Sequence, residues 1–306
     1  MEKNQIVNGI WGVVVGDALG LSAQARGKKH LKENQIEGLI TYGPEGRYRG
    51  GWSDDSSMTL CLTESLGNGY DVEDIARRFK LWFFKGYMTP YGEAFDKGHS
   101  TIRALRKLNK GVSPLLSGGS KENDNGNGSL MRTLPLIFFT NDMDTEKTLK
   151  IVHEVSAITH AHERTMIACG IYVFIGKYLI EETSKEEALK KGIEDAKEFY
   201  KDSTELKHFE RILNGNISEV PKTRIKTGGY SVTSLEASLW AFMTGSSYRE
   251  CTLNAVNLGG DADSIGAITG GLAGLFYQDV PDEWIDDIIK KEMIENLIQR
   301  FVEKIV

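Results

Sequence analysis

Proline is scarce in this chain, with six in 306 residues, and cysteine is scarcer, with three. The low proline content and the lack of a Gly-x-y period exclude collagen-like and proline-rich low-complexity chains. Cys61, Cys169 and Cys251 are odd in number and far apart. That excludes a disulfide framework or a zinc knuckle and predicts buried free thiols in a reducing cytoplasm. No uninterrupted apolar run approaches the ~20 residues of a membrane span. The longest, Met166 to Gly176, reads as a buried helix. The apolar stretch near the N-terminus breaks at Asp17, which argues against a secretory signal. A basic excess is missing too: 37 Lys+Arg against 43 Asp+Glu leave a net charge of −6. An acidic chain without a basic tract is a poor partner for nucleic acid or an anionic membrane. A monomeric cytoplasmic enzyme acting on a small molecule or a modified target is the expectation.

Helical periodicity is plentiful. Asp71 to Lys85 opens on a D-x-x-D cap and repeats apolar residues at Val72, Ile75, Ala76, Phe79 and Phe83. Ser184 with Glu187 forms a capping box before Leu189, Ile193, Ala196 and Tyr200. A helical period runs on from Pro281 to Ile305. Strand-type alternation is nearly absent, so the predicted fold is all-α, a single multi-helix domain over residues 1–306. Ser117 to Asn127 reads as a loop and Lys201 to Thr227 as an irregular insertion.

Glycine falls in two stripes: Gly9, Gly12, Gly16 and Gly20, then Gly266, Gly270 and Gly274. Each glycine in a helix interior costs ~1 kcal/mol against alanine. Repetition on one face therefore predicts two backbones in close contact at the centre of the molecule.

Two acidic clusters carry the chemistry. One is Ser53-Asp54-Asp55-Ser56, the other Asp261-Ala262-Asp263-Ser264, and each stands at a predicted helix start. Either alone is explained by helix capping. Both have apolar flanks, so four carboxylates enter the core, where they repel by several kcal/mol unless neutralised. Two divalent cations would balance them, and hard oxygen ligands point to Mg²⁺ or Mn²⁺ rather than zinc. A third feature, Asn125-Gly126-Asn127-Gly128-Ser129, leads into an apolar helix expected from Leu130 and is either a plain turn or a run of consecutive backbone donors that cradles a diphosphate. His153, His160 and His162 lack zinc spacing, which leaves capping or ligand contact as their roles.

Taken in order, these blocks resemble the ADP-ribosylglycohydrolase family. The likeness rests on Gly16-Asp17-Ala18-Leu19-Gly20, the two acidic clusters, Gly126 to Arg132, Thr159-His160-Ala161-His162, and Gly229-Tyr230 followed by Leu235-Glu236-Ala237. It implies an all-α fold whose central cleft holds two Mg or Mn ions and cleaves the glycosidic bond of ADP-ribosylated proteins or small molecules. A nucleic acid would enter only as a modified substrate. By that analogy Ser53, Asp54, Asp55, Asp261, Asp263 and Ser264 take metal-ligand positions. Gly126, Asn127, Gly128 and Ser129 form the phosphate loop, with His160 and Tyr230 near the ligand and Asp96 near the ribose.

The chain departs from the family pattern at Ser53, Ser56 and Ser264, where threonine is usual, and at Ser22, where proline is usual. At Gln24 the family carries a glutamate; glutamine orients water or ligand but takes up no proton. In the implied mechanism the cations lower the pKa of the attacking water and Asp96 steadies the oxocarbenium-like sugar. Proton transfer then falls to Asp96, or to the hydroxide the cations generate, rather than to Gln24. Two alternatives share these residues. One is a non-catalytic ADP-ribose binder or crystallin-like relative; the other is a two-metal nucleotide phosphohydrolase.

Overall fold

Helices order nearly the whole chain. A computed structural model describes residues 1–26, 28–31, 33–41, 49–181 and 184–306. In chain order the longer helices are α1 (Lys3–Arg26), α2 (Asp54–Leu66), α3 (Val72–Lys85) and α4 (His99–Asn109). They are followed by α5 (Leu134–Phe139), α6 (Thr145–Ala157), α7 (Glu163–Ile180) and α8 (Lys185–Phe199). The last four are α9 (Ser231–Thr244), α10 (Tyr248–Val256), α11 (Ala262–Tyr277) and α12 (Lys291–Ile305). Among the described residues the only β-type pairings are isolated bridges, Gly119 with His160 and Gly126 with Tyr230. The fold is all-α, as the periodicity predicts.

The glycine stripes build the centre. A Cβ on Gly12 would sit 2.1 Å from the carbonyl oxygen of Gly270, and one on Gly16 2.2 Å from that of Gly266. At Gly20 it would meet the Cα of Asp263 at 2.2 Å, and at Gly274 the carbonyl of Asn8 at 2.1 Å. So α1 and α11 lie backbone against backbone, at a distance only glycine permits. Gly9 departs from the stripe and faces the ring of Phe138.

One exclusion needs correction. By length and composition Lys3–Ala25 is apolar enough to cross a membrane, although no uninterrupted run announces it. Most of this window, 89 %, is buried within the protein. A helix covered on every side is apolar on every side, so α1 is the core helix.

Caps fall where the sequence places them. Asp71 accepts from the Glu73 and Asp74 amides, Ser184 from the Glu187 amide, and His162 from the Arg164 amide. All three cysteines are buried and free.

Two helix expectations give way. The period after Pro281 breaks into a short turn, Asp282–Asp286, and α12, with Lys290 left-handed between them. At the break, the Ile289 amide donates to the Gly50 carbonyl while its own carbonyl accepts from the Trp52 indole. The backbone there thus anchors the approach to the first acidic cluster. Nor does a helix run straight on from Leu130. A 3₁₀ turn covers Leu130–Arg132, and α5 begins afresh with Pro135 in its first turn, where a missing N–H does no harm.

Candidate active site

The tight α1–α11 contact decides what meets what. Asp17, on α1 beside Gly16, is fully buried and reaches across to the start of α2. One carboxylate oxygen accepts from the Ser53 amide (2.9 Å), the Ser56 amide (3.0 Å) and the Ser56 hydroxyl (2.5 Å). Burial, partly offset by these bonds, pushes the Asp17 carboxyl up to about 6. Ser53 caps α2 locally, accepting from the Asp55 amide and donating its hydroxyl to Asp55 Oδ2.

The second cluster arrives on α11. Gly259 and Gly260 both adopt positive φ, and a Cβ on Gly260 would collide with the Thr227 carbonyl at 2.0 Å. This left-handed pair turns the chain so that Asp261 stands at the helix start and Asp263 in its first turn. Asp54, Asp96, Asp261, Asp263 and Ser264 line a cavity of about 460 Å³ together with Gly126, Asn127, Gly128 and His160. Ser53 and Asp55 stand behind that wall, Ser129 turns its hydroxyl away toward Ser156 and Cys169, and the Tyr230 hydroxyl accepts from Arg164.

The acidic end is electrostatically strained. Burial first, and then the neighbouring carboxylates, hold Asp54, Asp55 and Asp263 well above the usual carboxylate range. Asp261 is raised as well, chiefly by burial, while the Asn127 amide opposes the shift. Asp17 Oδ1 and Asp55 Oδ1 are buried without a hydrogen-bond partner. Among the described residues no three acidic, histidine or cysteine side chains already stand in a metal-holding group. Mutual repulsion and unpartnered carboxylate oxygens nonetheless match what a hard divalent cation relieves. Gln24, exposed at the rim, donates Nε2 to Asp263 Oδ1 at 2.5 Å. Gly20 makes that reach possible by letting α1 lie against the first turn of α11.

The opposite end is built to give hydrogen bonds. Asn127 is bolted to the acidic end, its side-chain amide donating to Asp261 Oδ2 (2.6 Å) and Ser234 Oγ (3.0 Å). Its backbone amide is spent on the Gly229 carbonyl. Among the described residues the amides of Gly126 and Gly128 have no intramolecular acceptor, so the turn offers alternate donors, not consecutive ones. Beneath lies Arg132, 0 % exposed, with no carboxylate on its guanidinium among the described residues. Its nitrogens donate to the carbonyls of Gly128 and Val155 and to the Thr159 hydroxyl, and the group stacks 4.6 Å over Phe79. Burial lowers the Arg132 pKa to about 10, which leaves it charged at neutral pH.

Sequence reasoning left the roles of Asp17 and Arg132 open, although both stand in the quoted motifs. The lone carboxylate within the apolar stretch from Ile10 to Leu21, and an arginine three residues past a glycine turn, are the signals the sequence offers. Arg164 gave less warning. It is buried and donates to Glu122, Glu205 and the Tyr230 hydroxyl, tying the segment before the turn to the one after it. Arg164→Met is expected to cost about 2 kcal/mol of stability, measured by urea unfolding, because Glu205 loses its nearest cation.

Comparison with known proteins gives the class first. The fold matches a solved structure titled "ADP-ribosylglycohydrolase-related protein complex" with TM-score 0.79 and 28 % identity, covering 99 % of each chain. The ADP-ribosylglycohydrolase family model matches residues 2–306, and the chain belongs to that family. It is a hydrolase of the ADP-ribosyl glycohydrolase type. Among its relatives, an ADP-ribosylarginine hydrolase Tri1 of Serratia proteamaculans is 30 % identical over 94 % of this chain and 76 % of its own length. An ADP-ribosyl-[dinitrogen reductase] glycohydrolase of Rhodospirillum rubrum is 27 % identical over 96 % of this chain and 93 % of its own.

Proposed function

We propose that this hydrolase cleaves the bond between ADP-ribose and an arginine side chain of a modified protein, using two divalent cations, Mg²⁺ or Mn²⁺. The observation that carries this reading is the polarity of one cavity. Crowded carboxylates form one end; free glycine amides over a buried guanidinium form the other. An ADP-ribosyl group has matching ends, a diphosphate for the donors and a ribose for the acidic cluster. Arginine is supported by the relatives named ADP-ribosylarginine hydrolase, from Serratia proteamaculans and Pseudomonas putida.

Asp54, Asp261 and Asp263, with Ser264, would hold the cations from the cavity wall, and Asp55, with Ser53, from behind it through its unpartnered Oδ1. Such ions, when bound, neutralise the cluster and supply Lewis acidity toward the ribose and the attacking water. The remaining work belongs to this chain. Gly126 and Gly128 anchor the diphosphate, and Asp96 at the rim accepts the proton of the attacking water and faces the positive charge that develops on the ribose. Water adds to C1 of the ribose as the C1–N bond breaks; the electron pair leaves on the guanidine nitrogen, which takes a proton. Gln24 orients Asp263 and accepts no proton.

Purified protein on an ADP-ribosylarginine peptide is expected to release free ADP-ribose with Mg²⁺ or Mn²⁺, and at least about a hundredfold more slowly in chelator. Equal rates would remove the cations from the mechanism. AMP as product would make the enzyme a phosphohydrolase.

A further inference from the structure

His160 is 2 % exposed, and its ring edge lies against the glycine turn: a Cβ on Gly126 would sit 3.2 Å from Nε2, and one on Gly128 2.8 Å from Cε1. Nδ1 stands 2.8 Å from the Thr159 hydroxyl. Among the described residues Nε2 has no hydrogen-bond partner, and the ring lines the cavity. A buried histidine whose one free ring nitrogen opens onto a cavity is placed to meet a ligand atom there.

Which proton that nitrogen carries follows from counting donors. Arg132 Nη2 donates to Thr159 Oγ1 at 2.8 Å, and a guanidinium can only donate. The hydroxyl therefore accepts from Arg132 and has one hydrogen to give. His160 Nδ1 is its only other partner among the described residues. If Nδ1 carried the proton, the hydroxyl would accept from both partners and its own proton would be stranded in the core. If Nδ1 is the acceptor, the Thr159 hydroxyl both accepts from Arg132 and donates to His160, and no proton is stranded between them. The ring is then neutral with its proton on Nε2. Burial, together with the charges of Arg132 and Arg103, keeps it neutral by lowering its pKa to about 3.

We propose that Arg132 and Thr159 are positioning residues that lock His160 as the Nε2–H tautomer, so that a third donor joins the amides of Gly126 and Gly128 around an anionic oxygen of the ligand's diphosphate. Arg132 serves twice, since the same guanidinium also holds the Gly128 carbonyl and so fixes the turn. The inference about the ligand rests on the function proposed above; the inference about the tautomer does not.

The test separates the two. Histidine labelled with ¹⁵N distinguishes a protonated from an unprotonated ring nitrogen, and His160→Gln identifies the signal to follow. Unliganded wild type is expected to show a single neutral Nε2–H ring. Thr159→Val, nearly the same size without the hydroxyl, is expected to shift the ring to a mixture of tautomers. It should also weaken ADP-ribose binding, measured by calorimetry, about tenfold. Thr159→Ser should restore both. A wild-type ring protonated on Nδ1, or a Thr159→Val spectrum identical to wild type, overturns the relay. The expected spectra with no ADP-ribose binding by wild type would uphold the relay and overturn the ligand assignment.

Discussion

Gly16→Ala is expected to lower stability by about 3 kcal/mol or more, the upper range for overpacking a close contact, and to drop Tm by roughly 10 °C. The added methyl would sit 2.2 Å from the Gly266 carbonyl oxygen and 2.7 Å from its carbon, and both atoms are backbone. No rotamer change relieves such a clash; α1 and α11 must move apart by about 1 Å to reach ordinary contact. Because Asp17 and Asp263 ride on those helices, the displacement also loosens the bonds from Asp17 to Ser53 and Ser56. Gly67→Ala is the control. That glycine closes α2 in right-handed geometry, and its Cβ would find nothing nearer than 3.6 Å. Its stability should stay within about 1 kcal/mol of wild type. Matching unfolding midpoints for Gly16→Ala and wild type would mean that the two backbones do not touch.

Asp54→Asn is expected to move stability and activity in opposite directions. In protein stripped of divalent ions, the substitution removes one of several buried carboxylates that raise each other's pKa, so unfolding should shift to higher temperature. Activity with Mg²⁺ or Mn²⁺ should fall by roughly three orders of magnitude, as loss of a ligand from a metal-assisted site would produce. The thermal shift on adding Mn²⁺ should shrink as well. Linkage fixes the sign of the pH dependence. Asp17 titrates near 6 when folded against 3.8 for the free group, so the folded state binds more protons within that window. Stability of the ion-free protein therefore falls as pH rises from about 4 through 6, and Asp54, Asp55 and Asp263 carry the decline further upward. Saturating Mg²⁺ should flatten the slope. An ion-free protein that gains stability over that range would rule out the crowded cluster.

Much of the site was legible because its signals are local. Asp54 and Asp261 stand at helix starts, and Gly126 and Gly128 form a turn whichever neighbours they have. The glycine stripes even named the two helices in contact, since only a close backbone accounts for repeated glycine in helix interiors. What stayed hidden depends on partners far away in sequence. Asp17 and Ser56 are 39 residues apart, Asn127 and Asp261 are 134 apart, and neither pairing has a period or a cap to announce it. The membrane exclusion for α1 shows the same limit, because apolarity on all sides looks alike whether lipid or protein covers it.

By itself the sequence determined that the chain is all-helical, where its clearest caps lie, and which acidic and glycine-rich segments carry the chemistry. Those properties arise from interactions within about one helical turn. Only the tertiary structure decided that Asp17 holds the start of α2, that Asn127 joins the two ends of the cavity, and that Arg132 lies beneath the turn, bonded to Gly128 and Thr159. Hydrogen-bond geometry between distant segments is set by the distance between α1 and α11, and that distance exists only once both helices are packed.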